Sequence, residues 1–101
     1  METGRKTRSV RQRACHVARY VAWVVEPHGV LLIHMARGRR RELGYPEAAV
    51  WDLVTRGRSG ETIRSMLESI AGIGPQEART LVDSCLVQWR AEGWLETGTP
   101  A

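Results

Sequence analysis

The chain has 101 residues, of which 43% are hydrophobic and 26% charged, a length and composition typical of one globular domain. No apolar run approaches the roughly 20 residues that a bilayer-spanning helix needs, and no apolar stretch follows the basic N-terminus, which argues against a signal peptide. The only two cysteines, Cys15 and Cys85, do not make a disulfide framework, so we expect a reduced, cytoplasmic protein.

The net charge of +4 is concentrated at the N-terminus. The residues after position 13 carry ten basic and ten acidic side chains, so the excess positive charge lies in residues 1–13. We expect residues 1–14 to form a disordered basic tail. Such a tail is either a solvated extension or a segment that contacts nucleic acid or an acidic partner. The charge therefore does not select a function.

The first structured region has the composition of a β-hairpin. Val17–Val25 is rich in β-branched and aromatic residues, which favour a strand. Pro27 and Gly29 supply turn chemistry, and Val30–Met35 has the composition of a second strand. Strand, short turn and strand together predict a hairpin.

The arginine-rich segment after the hairpin has two interpretations. Gly38 marks a turn, and Arg39–Leu43 is either a third, short strand whose arginines keep a sheet edge soluble or a charged loop. Basic side chains near Gly38 have the charge to contact phosphate, although a solvated surface is the simpler interpretation.

Three amphipathic helices are predicted next. Residues that commonly begin or end helices mark their boundaries: Pro46, Gly57, Ser59, Gly72, Gly74, Pro75 and Gly93. Apolar residues at helical spacing predict the core-facing stripes: Ala49, Val50, Leu53 and Val54 on the first helix; Ile63, Met66, Leu67 and Ile70 on the second; Ala78, Leu81, Val82, Cys85, Leu86 and Trp89 on the third.

Two tryptophans lie outside these stripes. Trp51 is expected to cover the hairpin, and Trp94 together with Leu95 is expected to fold back on the helices. The predicted fold class is α+β and winged-helix-like, with an N-terminal β-hairpin or three-stranded sheet followed by three helices. The predicted domain spans residues 15–96, and residues 97–101 are a tail.

No set of residues predicts catalysis. The sequence has no P-loop, dinucleotide fingerprint, nucleophile elbow or pair of catalytic carboxylates. A zinc site that includes Cys15 and His16 would lack the repeated close spacing of known zinc motifs. Cys85 lies on an apolar helical stripe and is expected to be a small buried hydrophobe. We therefore predict a protein that is not an enzyme and that has no metal or cofactor.

One short segment resembles the helix-hairpin-helix motif of DNA-binding proteins. Leu67–Ala78 contains the sequence Gly72-Ile73-Gly74-Pro75, and in that motif the glycine turn offers backbone N–H groups to a phosphate. No second copy is present, and no basic residue follows Gly74 directly. The alternatives are therefore a nucleic-acid contact and a structural turn.

A wider resemblance covers about Val17–Glu96. Four segments carry it in one order: the strand–turn–strand Val21–Ile33 with Gly29; Arg41–Ala49; Val50–Leu53 with Gly57–Ser59; and Glu77–Leu95 with its Gly-Trp-Leu ending. Together they resemble the PqqD family of peptide-binding chaperones, which are also called RiPP recognition elements.

This resemblance implies a non-catalytic protein that binds the leader of a ribosomally synthesised precursor peptide. The partner would be a modifying enzyme, such as a radical SAM enzyme, or a leader protease. The implied peptide-binding residues lie on the third strand and the third helix: Arg39, Arg40, Arg41, Glu42, Leu43, Leu81, Ser84, Cys85 and Gln88. The three arginines would suit an acidic leader. The alternative is a winged-helix or helix-hairpin-helix protein that binds nucleic acid.

Overall fold

The computed structural model describes residues 15–97, so the predictions for residues 1–14 and 98–101 lie outside the described residues. The elements follow in this order: β1 (Cys15–Val17), β2 (Val21–Glu26), β3 (Gly29–His34), β4 (Arg39–Leu43), α1 (Glu47–Thr55), α2 (Gly60–Ala71), α3 (Pro75–Ala91) and β5 (Leu95–Thr97). The predicted α+β architecture, a three-stranded sheet followed by three helices, is confirmed.

The main sheet is an antiparallel meander in the order β2-β3-β4. The open question about Arg39–Leu43 is settled, because this segment pairs along its whole length with β3, from His34 opposite Arg39 to Val30 opposite Leu43. Leu43 is buried, so it anchors one end of a strand that otherwise has no apolar residue. As a result, β4 forms one edge of the sheet.

The prediction of a single strand over Val17–Val25 is wrong. Tyr20 adopts a positive φ of 70°, and the Val21 amide donates to the Ala18 carbonyl at 3.2 Å, so the chain turns between two strands. The buried Ala18 donates its amide to the Trp94 carbonyl at 3.0 Å, which holds this turn against the C-terminal segment. Composition gave no sign of it, because the turn contains no glycine, proline or asparagine.

β1 pairs with β5 in a second, two-stranded antiparallel sheet that joins the two ends of the described chain. The sequence did not predict this sheet. The expected return of Trp94 and Leu95 to the core is confirmed, because both are almost fully buried. β5 continues to Thr97, one residue past the predicted boundary.

The predicted helix boundaries are close to those observed. Ser59 caps α2 by accepting a hydrogen bond from the Thr62 amide at 3.2 Å, which satisfies one otherwise unpaired donor of the first turn. Gly72 ends α2 in the left-handed conformation, and Pro75 is the first residue of α3.

Tryptophans form the centre of the core between the sheet and the helices. Trp51 is fully buried, with its ring centroid 5.8 Å from that of Trp23 on β2 and 5.4 Å from that of Trp89 on α3. It therefore covers the hairpin, as predicted. Ile70, which its helical spacing predicts to be in the core, is instead 63% exposed. It lies in the last turn of α2, and the partly buried Ile73 packs against the core beyond it.

Candidate functional site: a cleft beside the β4 edge

β4 presents an open edge. It is hydrogen-bonded to β3 on one side, and within residues 15–97 no backbone group of Arg39–Leu43 bonds to anything else. Side chains alternate along the strand: Arg39, Arg41 and Leu43 share a face with the buried β3 residues opposite them, and Arg40 and Glu42 lie on the other face. The open edge carries main-chain donors and acceptors that can pair with an added strand.

α3 faces this edge across a cleft. Its core side consists of Ala78, Val82, Cys85 and Trp89, all buried. Leu81, Ser84 and Gln88 lie about a third of a turn away, at the helical positions expected to look toward β4. The cleft between the two elements has a volume of about 290 Å³. Its lining residues are Arg41, Glu42, Leu43, Gly44, Glu47, Leu81, Ser84, Cys85, Gln88 and Trp89.

Seven of the nine residues named from the sequence line this cleft. Arg39 and Arg40 do not. Two lining residues were not expected from the sequence: Gly44, which follows β4, and Glu47, the first residue of α1. Trp89 was expected only in the core. The position of Glu47 could have been predicted from chain order. The first turn of a helix that follows an edge strand after a short connection lies near the end of that strand.

Glu92, just after α3, ties the helix to β4. Its carboxylate accepts hydrogen bonds from Arg41, from Gln88 Nε2 at 3.1 Å and from Trp94 Nε1 at 3.0 Å. Its carbonyl oxygen accepts from Arg39 Nη1 at 2.9 Å. Burial raises the pKa of the Glu92 carboxyl, but these side-chain hydrogen bonds and the positive charge of Arg41 outweigh it, so the net pKa lies below its usual value. Glu92 therefore holds one end of the cleft together as a carboxylate.

This network changes the expected role of the arginines. Arg41 is paired with Glu92, and the Arg39 guanidinium lies 5.1 Å from the ring centroid of Trp94, a cation–π distance. Arg40 is exposed on the opposite face of the strand. Arg39 and Arg41 thus stabilise the cleft wall, and the three arginines do not form one positive surface inside the cleft.

The buried Cys85 is one of the residues that line the cleft. Burial and the nearby charge of Glu47 raise its pKa to about 11, and Arg41 opposes the shift. A thiol with this pKa is protonated at neutral pH and is a poor nucleophile. The prediction that Cys85 is a small buried hydrophobe agrees with its burial. Within residues 15–97, no group of three or more histidine, cysteine, aspartate or glutamate side chains is arranged to hold a metal ion.

A second, more apolar cleft lies between the hairpin and α1. Its volume is about 340 Å³, and three of its hydrophobic lining residues are at least 60% exposed: Val25, Tyr45 and Ile70. Its only sheet residues, Val25 and Val30, are cross-strand partners. This cleft therefore crosses the two strands of the hairpin at one cross-strand pair. The cleft beside α3, in contrast, follows several consecutive residues of a strand edge.

The Gly72–Pro75 turn is a compact connection between α2 and α3. Gly74 is the N-cap of α3, and the first turn carries the acidic Glu77. A carboxylate there repels the phosphate that a helix-hairpin-helix turn would bind. None of the helices in the described part of the chain has the length and apolarity to span a membrane.

No family model matches the chain, and no curated protein matches it. Two solved structures do match. A lasso peptide synthetase B1 complexed with the leader peptide has a TM-score of 0.76 at 13% identity, over 81% of this chain and 96% of that one. TbiB1 in complex with the TbiA(beta) leader peptide has a TM-score of 0.77 at 16% identity, over 84% and 99%. The chain therefore shares the fold of these two proteins along nearly their whole length.

Proposed function

We propose that this chain is a leader-peptide-binding protein of the PqqD-like kind. It binds the leader of a ribosomally synthesised precursor peptide and presents it to a modifying enzyme, such as a radical SAM enzyme, or to a leader protease. The observation that carries this proposal is the open edge of β4 beside a cleft walled by α3. The shared fold with two proteins solved in complex with leader peptides supports it.

In this proposal an extended peptide adds to β4 as a fourth strand. Main-chain hydrogen bonds to the edge supply affinity without regard to sequence, and pockets for alternate side chains supply specificity. Leu43, Leu81 and Trp89 supply the apolar contacts of a cleft that is otherwise lined mainly by polar and charged residues. Ser84 and Gln88 are exposed on the α3 wall and offer hydrogen-bonding groups to the bound segment.

The proposed role is non-catalytic. Cys85 is the one thiol among the lining residues, and its raised pKa keeps it protonated. No histidine lines the cleft to act as a base. The chemistry on the precursor would then be performed by the partner enzyme, with this chain supplying recognition and a raised local concentration of substrate.

The test is capture from the native host with two baits, the wild-type chain and Ser84→Trp. Ser84 is exposed and lines the cleft, so an indole there fills the cleft without disturbing the core. Mass spectrometry is expected to find a short precursor peptide on the wild-type bait and to find it depleted on the variant. A synthetic copy of its N-terminal half should bind the wild-type chain directly.

The proposal fails if no short peptide distinguishes the two baits. It also fails if the wild-type bait recovers nucleic acid alone. That second outcome would favour the nucleic-acid alternative. Neither the balanced charge of the residues after position 13 nor the acidic first turn of α3 supports that alternative.

A further inference from the structure

The charges along β4 and its neighbours are separated by sign. The basic end of β4 is next to the Gly38 turn, and Arg37, Arg39 and Arg40 lie there. The acidic end leads into α1, and Glu42 and Glu47 lie there. Arg41, between them, is neutralised by Glu92. An extended segment beside β4 would thus pass from a basic end to an acidic end.

Two of these charges lie on the face of β4 opposite the one that carries Leu43, and one of them, Glu42, also borders the cleft. Arg40 and Glu42 are both exposed, and they lie two residues apart on the same face of β4, opposite Ile33 and Leu31 of β3. Neither forms a salt bridge with another residue in the range 15–97. A strand added at the edge would place its own outward side chains next to these two, at the separation where cross-strand charge pairs form.

The inward face of an added strand meets different chemistry. Its side chains enter the cleft beside Leu43, Leu81 and Trp89, which favour apolar partners, and beside the polar Ser84 and Gln88. The arginines on this face, Arg39 and Arg41, already contact Trp94 and Glu92. Glu47 also lines the cleft, at the end that leads into α1, and has no salt-bridge partner within residues 15–97. Along β4 itself, the charges available to a bound peptide are therefore those of Arg40 and Glu42.

We propose that the bound peptide segment is an amphipathic strand with an apolar inward face and two outward charges of opposite sign. A lysine or arginine lies beside Glu42, and an aspartate or glutamate two positions away lies beside Arg40. This inference rests on the proposed function. It replaces the acidic leader segment that the three arginines suggested with a segment that has an apolar inward face and one outward charge of each sign.

The order of the two charges reports the direction of the peptide. A strand antiparallel to β4 passes Glu42 before Arg40, so the basic residue precedes the acidic one. A parallel strand has the reverse order. Each cross-strand pair is expected to change affinity by about two- to fivefold at low ionic strength, and added salt is expected to reduce this effect.

The test is a display selection with random ten-residue peptides on four forms of the full chain: wild type, Glu42→Lys, Arg40→Glu and the double charge swap. Both positions are exposed, so the variants are expected to fold, which thermal unfolding checks. Glu26→Lys, exposed at the hairpin tip, is the matched control for net charge. The wild type should enrich peptides with a basic and an acidic residue two positions apart, and the double swap should invert their order.

If the wild type enriches peptides but the variants enrich peptides with the same charge pattern, this inference is overturned and the proposed function still stands. An absence of any enriched peptide on the wild type overturns both. A pattern that changes equally with Glu26→Lys shows an effect of net charge and also overturns the inference.

Discussion

The two clefts of this molecule differ more in chemistry than in size. The cleft beside α1 is the larger and more apolar, about 340 Å³ against about 290 Å³, and it would be the first choice for a small apolar ligand. The cleft beside α3 is lined by four consecutive residues, Arg41 to Gly44, of an open strand edge and the turn that follows it. An extended peptide binds through main-chain hydrogen bonds, so a cleft that offers a row of unpaired main-chain groups is a better peptide site than a larger cleft without them.

The largest expected effect concerns the position of the β4 edge itself. A Cβ at Gly29 would lie 1.8 Å from the Leu43 carbonyl oxygen, so Gly29→Ala forces β3 and the end of β4 apart. We expect a loss of at least about 3 kcal/mol in unfolding free energy, measured by urea denaturation.

Gly44→Ala is the matched control. A Cβ there meets no atom within 4 Å, so the unfolding free energy should change by less than about 0.5 kcal/mol. Equal stability of the Gly29→Ala chain and the wild type would show that the close approach of β3 to β4 does not fix this edge.

The next effect separates the two clefts directly. Ser84→Trp fills the cleft beside α3 and Ala49→Trp fills the cleft beside α1, and both replace a small residue on a helix. We expect Ser84→Trp to weaken binding of the captured peptide at least about tenfold, equivalent to about 1.4 kcal/mol, in titration calorimetry. Ala49→Trp should stay within about twofold of the wild type, and a reversed ranking would assign the peptide to the cleft beside α1.

A smaller effect concerns Glu92, which holds α3 to β4. Glu92→Gln removes the charge that Arg41 pairs with, and we expect it to cost about 1 kcal/mol in urea unfolding at pH 7. Because the folded-state pKa of Glu92 is lowered, its contribution is complete above the unfolded-state pKa of about 4.5 and is lost as the pH falls through the folded-state value.

The difference in unfolding free energy between the wild type and Glu92→Gln should therefore narrow as the pH falls below about 4.5. A difference that stays constant down to pH 2 would mean that the carboxylate charge of Glu92 does not hold this end of the cleft.

The smallest effect is expected at the rim of the cleft beside α1. Asp52 pairs with Arg56 at 3.0 Å, and both side chains are about half exposed or more. Exposed pairs of this kind contribute little, so Asp52→Asn should change unfolding free energy by at most about 0.5 kcal/mol and leave peptide affinity unchanged. A clear loss of affinity in the same calorimetric titration would give this rim a binding role.

The sequence predicted those parts of the site that depend on local periodicity. Leu81, Ser84 and Gln88 were placed on the cleft side of α3 because the apolar stripe orients a helix and the 3.6-residue period then positions every other side chain. Helix boundaries followed from Pro46, Ser59 and Gly72 for the same local reason.

Features that depend on distant contacts were not predictable in this way. Arg41 and its partner Glu92 are 51 positions apart, so no local pattern indicated that the arginine is already paired. The pairing of β1 with β5 joins the two ends of the described chain. β4 itself stayed ambiguous because three arginines in five residues leave no apolar alternation, and tertiary pairing with β3 decided its structure.

Amide hydrogen exchange on the full chain, with and without the captured peptide, would show whether the peptide pairs with β4. We expect slower exchange in Arg39–Leu43 when the peptide is bound, because amides on the open edge acquire main-chain partners. We expect little change in Val21–Glu26, the other edge of the sheet, or around Tyr45 and Ile70. Peptide binding that protects those regions and leaves Arg39–Leu43 unchanged would rule out strand addition at β4.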